Sequence, residues 1–143
     1  FMYYETYGDD SLIRKYYNGM RRYIDYMTTR ANDGIVSFGL GDWYDYGDFR
    51  AGFSRNTPVP LVATAHYYMV VRYLVEAARM LDNRYDVAYY THLGEEINKA
   101  FHREFYHKDT RQYGTGSQCS NALPFVPGNG SPPMTDRRCL IIW

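Results

Sequence analysis

The stretch PVPLVATAHYYMVVRYLVEAARML, residues 58–81, decides the fold class. Its apolar residues recur at helical spacing but spread widely around the helix, and no charged residue precedes Arg72 within it. This distribution is typical of a helix buried on more than one side. Thr57 is a candidate N-cap, with proline in the first turn of the helix.

Two amphipathic segments flank this central helix, at Ser11 to about Arg30 and at about Asp86 to Phe105. In both, apolar residues recur at steps of three and four. Long helices joined by loops indicate helical hairpins, as in a bundle, a solenoid or an (α/α) toroid. No fixed-period repeat favours the solenoid. Two partners hardly suffice to cover the central helix, so we expect further helices outside this sequence. We interpret His107–Gly116 as loop, and Ser117 onward as a possible fourth helix.

Composition excludes several kinds of partner. The 143 residues carry 16 basic and 16 acidic side chains, which gives no electrostatic footprint for nucleic acid or an anionic membrane. No apolar run is long enough to span a bilayer. Two cysteines form no disulfide framework, and no cysteine or histidine spacing suggests zinc, so we predict neither metal nor cofactor. The 17 tyrosines are unusually many and favour half-buried surfaces and wet binding sites.

The stretch Phe38–Phe49 carries the most chemistry. It contains three aspartates, at Asp42 and at steps of three after it, together with Trp43, Tyr44 and Tyr46. It has neither helical nor strand periodicity and is predicted to be a loop. Flat aromatic faces beside carboxylates suit a sugar, whose C–H surface stacks on the ring while its hydroxyls donate to Asp. The alternative is an aromatic loop that plugs the end of a bundle. A cation site is disfavoured because the EF-hand pattern with its closing Glu is absent.

An ordered set of short motifs resembles a known family. They are Gly41-Asp42-Trp43, Asn56-Thr57-Pro58, Ala63-Thr64-Ala65-His66-Tyr67-Tyr68, Glu76-Ala77-Ala78, Ile97-Asn98-Lys99-Ala100-Phe101 and Gln118-Cys119-Ser120-Asn121-Ala122-Leu123-Pro124. In order and spacing they are similar to the catalytic barrel of bacterial α-L-rhamnosidases, family 78 of the glycoside hydrolases. The resemblance implies an all-α fold, in which this chain is an incomplete part of an (α/α)6 barrel. It also implies a rhamnose-containing glycan or glycoside as partner, and a periplasmic or secreted location.

The resemblance also implies roles for site residues. Trp43 corresponds to the aromatic wall around the terminal rhamnose, Asp42 to a polar contact or loop anchor, and Tyr44 and Tyr46 to weaker contacts. Leu40 stands where the family often has tyrosine. The family inverts the anomeric centre with an acid Glu in an upstream motif and a base Glu well downstream. Neither motif matches this sequence, so we assign no catalytic residue. The alternative function is a stand-alone helical module that binds carbohydrate or protein.

Two assignments concern the later part of the chain. We read Gly114-Thr115-Gly116-Ser117 as a loop with a helix cap, and we expect Gln118 to tie down a helix start rather than to contact sugar. Residues 1–123 form the predicted barrel part. Residues 124–143 depart from the family pattern, and shifted reading frames restore helix-like peptides there. We therefore expect 124–143 to be a frame-shifted, poorly ordered tail without functional weight.

Overall fold

The computed structural model describes residues 1–45 and 47–125. The described elements are α1 (Met2–Tyr7), α2 (Ser11–Arg30), α3 (Val59–Met80), α4 (Arg84–Phe105), β1 (Tyr106–His107), β2 (Gln112–Tyr113), α5 (Gln118–Ala122) and a 3₁₀ turn (Leu123–Phe125). The all-α prediction is confirmed, and α2 begins and ends where the sequence pattern placed it. Helix α1 was not predicted. Of the predicted tail, only Pro124 and Phe125 lie within the described residues.

Helix α3 lies at the centre of the fold. It packs against both α2 and α4, and its buried residues occupy several sides of the helix. Val71, Leu74, Val75, Ala77 and Ala78 have no exposed surface. Burying each large aliphatic side chain stabilises the fold by about 1.5 to 3 kcal/mol before the entropy cost of ordering it. The prediction that this helix is buried on more than one side is therefore confirmed.

The order of contacts fixes the helix directions. Thr28, near the end of α2, is hydrogen-bonded to Tyr67 in the first half of α3 at 2.6 Å. Tyr17, near the start of α2, donates to Asp86 at the start of α4 at 2.7 Å. Helix α2 is thus antiparallel to α3 and runs in the same direction as α4. As a result, the α2–α3 connection and the α4–α5 connection lie at the same end of the helices.

Asn83 and Asp86 fix the opposite end of the fold. The Asn83 side chain caps α4 by accepting the Asp86 backbone N–H at 3.1 Å, and its amide donates back to the Asp86 carboxylate at 2.8 Å. The same carboxylate, which is 2% exposed, lies 3.2 Å from the Arg21 Nε. A buried carboxylate is tolerated here because an ion pair and two neutral donors compensate its lost hydration.

Two local predictions were wrong. Thr57 does not cap α3, because Pro58 occupies the N-cap position without a side-chain hydrogen bond and the Thr57 hydroxyl bonds elsewhere. His107–Gly116 is not simply a loop, since β1 and β2 pair as a short antiparallel hairpin. Tyr113 of this hairpin is 1% exposed and packs on Phe101, with ring centroids 5.7 Å apart. The two strands pair over only two residues each, which is too short for a strand pattern to show in the sequence.

An apolar groove runs between α2 and α3 on the side away from α4. We call it the α2/α3 groove. Its volume is about 640 Å³, and its lining comprises Phe1, Met2, Tyr16, Gly19, Met20, Tyr23, Ile24, Val70, Tyr73 and Leu74. Phe1 stacks on Tyr73 at 5.0 Å and covers only part of it. Among the described residues, no element fills the rest of this groove.

Candidate functional site

The two connections that meet at one end of the helices form the candidate site. The Thr57 hydroxyl, just before α3, is hydrogen-bonded to the Ser117 hydroxyl, just before α5, at 2.7 Å. The Thr115 hydroxyl donates to the Asn56 backbone carbonyl. These bonds join segments about sixty positions apart in sequence. They hold the residues just before α3, which follow the aromatic loop (residues 38–49), against the loop before α5.

The aromatic loop presents its rings to the surface. The side chain of Trp43 is 54% exposed and that of Tyr44 is 71% exposed. The Trp43 ring is edge-on to Phe53, with centroids 6.2 Å apart and planes at 73°. Neither ring plugs the end of the helices within this chain. Tyr46, the fourth predicted site residue, lies outside the described residues.

The aspartates of this loop have different surroundings. Asp45 is 8% exposed and accepts hydrogen bonds from the Arg55 N–H at 2.8 Å, the Asn56 N–H at 2.6 Å and the Asn56 Nδ2 at 2.5 Å. Asp48, three positions later, is exposed. The sequence predicts that the loop aspartates accept hydrogen bonds from sugar hydroxyls, but Asp45 accepts them from the protein itself. Its charged carboxylate therefore holds the loop to Arg55 and Asn56 through these hydrogen bonds.

Asp42 is half-buried and held from two sides. Its backbone N–H donates to the Ser54 hydroxyl at 3.3 Å, and that hydroxyl donates to the Thr57 carbonyl at 2.7 Å. Gly41 permits this close approach, since it has φ +67° and an added Cβ would lie 2.8 Å from Ser54. The Thr57 hydroxyl lies 3.4 Å from the Asp42 carboxylate. Asp42 therefore has a fixed position at the junction of the two loops.

A polar cleft of about 610 Å³ opens beside Asp42. It is lined by Asp42, Asp45, Arg55, Asn56, Thr57, Thr115, Gly116, Ser117, Gln118 and Cys119. Burial raises the pKa of the Cys119 thiol above its usual value, and the Asp42 charge and a hydrogen bond to Asp42 raise it further. The thiol is therefore protonated and uncharged at neutral pH. The cleft contains hydroxyl, amide and carboxylate groups that can exchange hydrogen bonds with a sugar.

The sequence did not predict that the loop before α5 lines a cleft together with Asp42. Ser117 caps α5 by accepting the Ser120 N–H at 3.1 Å, which confirms the predicted loop with a cap. Gln118 does not make that cap, contrary to our expectation, and its exposed side chain lines the cleft instead. The available signal in the sequence was the family-like Gln118-Cys119-Ser120 run. Because this run lies far from Asp42 in the sequence, the sequence did not show that Gln118 and Cys119 share a cleft with Asp42.

Other features of the described chain do not point to a metal or a membrane. Among residues 1–45 and 47–125, no cluster of three His, Cys, Asp or Glu side chains could hold a metal ion. Over the same ranges, every helix is too short or too polar to cross a bilayer. His66 lies on α3 with its Nδ1 2.8 Å from the Val62 carbonyl, a bond within one helical turn. These findings leave the cleft and the exposed aromatic rings as the candidate site.

Comparison with known proteins agrees with this architecture. The family model for the bacterial alpha-L-rhamnosidase 6 hairpin glycosidase domain matches residues 1–130. An alpha-L-rhamnosidase from Formosa agariphila is 27% identical over 131 residues, which cover 85% of this chain and 14% of that protein. The chain thus spans about one seventh of that relative.

Two solved structures have the same fold. The alpha-L-rhamnosidase from Dictyoglumus thermophilum superposes with a TM-score of 0.76 at 30% identity, over 85% of this chain and 14% of that one. The Streptomyces avermitilis alpha-L-rhamnosidase, solved in complex with L-rhamnose, gives 0.73 at 24% identity, over 85% and 11%. Since the family match extends over most of the sequence, this chain belongs to the bacterial α-L-rhamnosidase six-hairpin glycosidase domain family, and its relatives are glycoside hydrolases.

Proposed function

We propose that this chain supplies part of the sugar-binding surface of a glycoside hydrolase that removes terminal α-L-rhamnose with inversion. The carrying observation is that the exposed Trp43 follows Asp42 directly in the sequence, and that Asp42 lines a polar cleft. An exposed aromatic ring offers a face for the C–H surface of a pyranose, and a fixed carboxylate accepts hydrogen bonds from its hydroxyls. Tyr44 and Tyr46 extend this surface in the proposal.

The proposal places both catalytic carboxylates outside this chain. An inverting glycosidase needs an acid and a base about 6.5 to 9.5 Å apart, with room for a water molecule between them. Among the described residues, the carboxylates that line the cleft are Asp42 and Asp45. Asp45 already accepts three N–H groups, so it is poorly suited to exchange protons with substrate. Described residues of this cleft thus supply no complete acid and base pair.

Tryptophan fluorescence tests the sugar-binding role in this chain. A Trp143→Phe variant leaves Trp43 as the only tryptophan, because the sequence has two, and selective excitation then separates its emission from that of the 17 tyrosines. We expect methyl α-L-rhamnoside to change its emission in a saturable way, whereas an equal concentration of a non-sugar polyol has no effect. We also expect no release of aryl aglycone by the chain alone. Rhamnoside hydrolysis that disappears with Trp43→Ala would contradict the absence of a catalytic pair.

A full-length enzyme that carries this segment provides the kinetic test. Trp43→Ala should lower kcat/KM, because the sugar loses its stacking surface. The loss should correspond to about 1 to 3 kcal/mol of transition-state stabilisation. The matched control is Tyr85→Ala, which removes a 75% exposed ring at the opposite end of the helices. Equal kinetics for wild type and Trp43→Ala would reject the proposed role.

A further inference from the structure

Gln118 is the first residue of α5 and lines the same cleft as Asp42. Ser117 already caps this helix: its hydroxyl accepts the Ser120 N–H at 3.1 Å and donates to the Ser120 hydroxyl at 2.9 Å. The start of α5 therefore does not need the Gln118 amide. An exposed side chain that local structure does not use is available for a ligand.

The backbone beneath Gln118 is held in place by several contacts. Gly114 has φ +53°, and an added Cβ would lie 2.8 Å from Leu61 of α3. The Asn121 side chain accepts the Tyr113 N–H at 3.0 Å and donates to the Gly116 carbonyl at 3.2 Å. Together with the bonds to Asn56 and Thr57, these contacts tie the loop to α3 and the hairpin. Binding therefore has to order the Gln118 side chain but not the backbone that carries it.

The chemistry of Gln118 complements that of Asp42. A carboxylate only accepts hydrogen bonds, whereas an amide side chain donates two and accepts through its carbonyl. Each sugar hydroxyl can both donate and accept. An aspartate and a glutamine that line one cleft can therefore satisfy different hydroxyls of one pyranose. A neutral sugar suits this cleft better than an anion, because two carboxylates line it.

We infer that Gln118 is a sugar-contacting residue, and that the loop before α5 forms part of the rhamnose-binding site together with Asp42. This inference rests on the proposed function, since the ligand is the same sugar. It assigns a direct hydrogen bond between the Gln118 amide and a ring hydroxyl.

Binding of methyl α-L-rhamnoside by the full chain tests the inference, with the ligand signals followed by saturation-transfer NMR. Gln118→Ala should raise Kd about three- to tenfold, the range for one or two neutral hydrogen bonds. Asn18→Ala removes an exposed amide on α2 that does not line the cleft, and it should leave Kd unchanged. Both variants place alanine in a helix, where it is well tolerated.

Monodeoxy rhamnosides show whether the contact is direct. The Kd penalty of Gln118→Ala should disappear for the analogue that lacks the contacted hydroxyl and persist for the others. If wild type binds, Trp43→Ala weakens binding and Gln118→Ala does not, the inference fails while the proposed function stands. A penalty equal for all analogues also overturns it. If wild type binds no rhamnoside, both fail.

Discussion

Removing the Asp45 carboxylate should loosen the aromatic loop without unfolding the helices. This carboxylate is 8% exposed and ends three hydrogen bonds, two of them from the consecutive backbone amides of Arg55 and Asn56. The donors of these bonds, Arg55 and Asn56, precede α3 and are not part of that helix. We therefore expect Asp45→Ala to act locally, on the opening of the segment between Asp42 and α3.

The magnitude follows from these three bonds. A hydrogen bond to a charged group contributes about 1.5 to 3 kcal/mol, and bonds to one acceptor are not additive. We take about 3 kcal/mol as the lost free energy of local opening. Since 1.4 kcal/mol is a factor of ten, hydrogen exchange of the Asn56 amide should become about a hundredfold faster.

Asp48→Ala is the matched control, because it removes an exposed carboxylate from the same loop. Amide exchange measured by NMR at one pH should accelerate in Asp45→Ala and stay within about twofold of wild type in Asp48→Ala, as for other surface substitutions. Limited trypsin digestion after the exposed Arg50 and Arg55 gives a second measurement. Equal protection of the Asn56 amide in both variants would refute the anchoring role of Asp45.

Three further predictions concern other parts of the chain. Cys119 should be alkylated more slowly in the folded than in the unfolded chain at pH 8, because burial and then Asp42 raise its pKa and reduce the thiolate fraction. In a Cys139→Ser background, Asp42→Asn should speed this reaction, and an unchanged rate would argue against the contact. A hydrophobic-surface dye should bind the α2/α3 groove. Met20→Lys should lower the dye signal, whereas Lys108→Ala, which removes an exposed charge outside the groove, should not. Low dye binding with a sharp thermal transition would favour a free-standing module. Asp86→Ala should lower the free energy of unfolding by about 2 to 4 kcal/mol in denaturant titrations, since Tyr17 loses its acceptor and Arg21 its ion-pair partner. Asp10→Ala, which breaks an exposed pair with Arg14, should cost under about 1 kcal/mol.

Local patterns predicted the long helices because period and stop signals lie within each segment. Ser11–Arg30 was predicted with its ends, since the apolar stripe begins after Asp10 and the chain turns at Asn32–Gly34. The β1–β2 hairpin was missed because two-residue strands carry no period. Thr57 was assigned to a cap because of its place before proline, but its hydroxyl binds Ser117, sixty residues later.

The sequence by itself determined the all-α class, the central position of α3, the loop with Trp43 and Asp42, and the family, because these depend on local composition and ordered motifs. The tertiary structure alone decided that Asp45 anchors the loop while Asp48 faces solvent. It also decided that Gln118 and Cys119 share a cleft with Asp42. The physical reason is that burial and hydrogen bonding between distant segments depend on how the helices pack, and a linear pattern does not encode which ends meet.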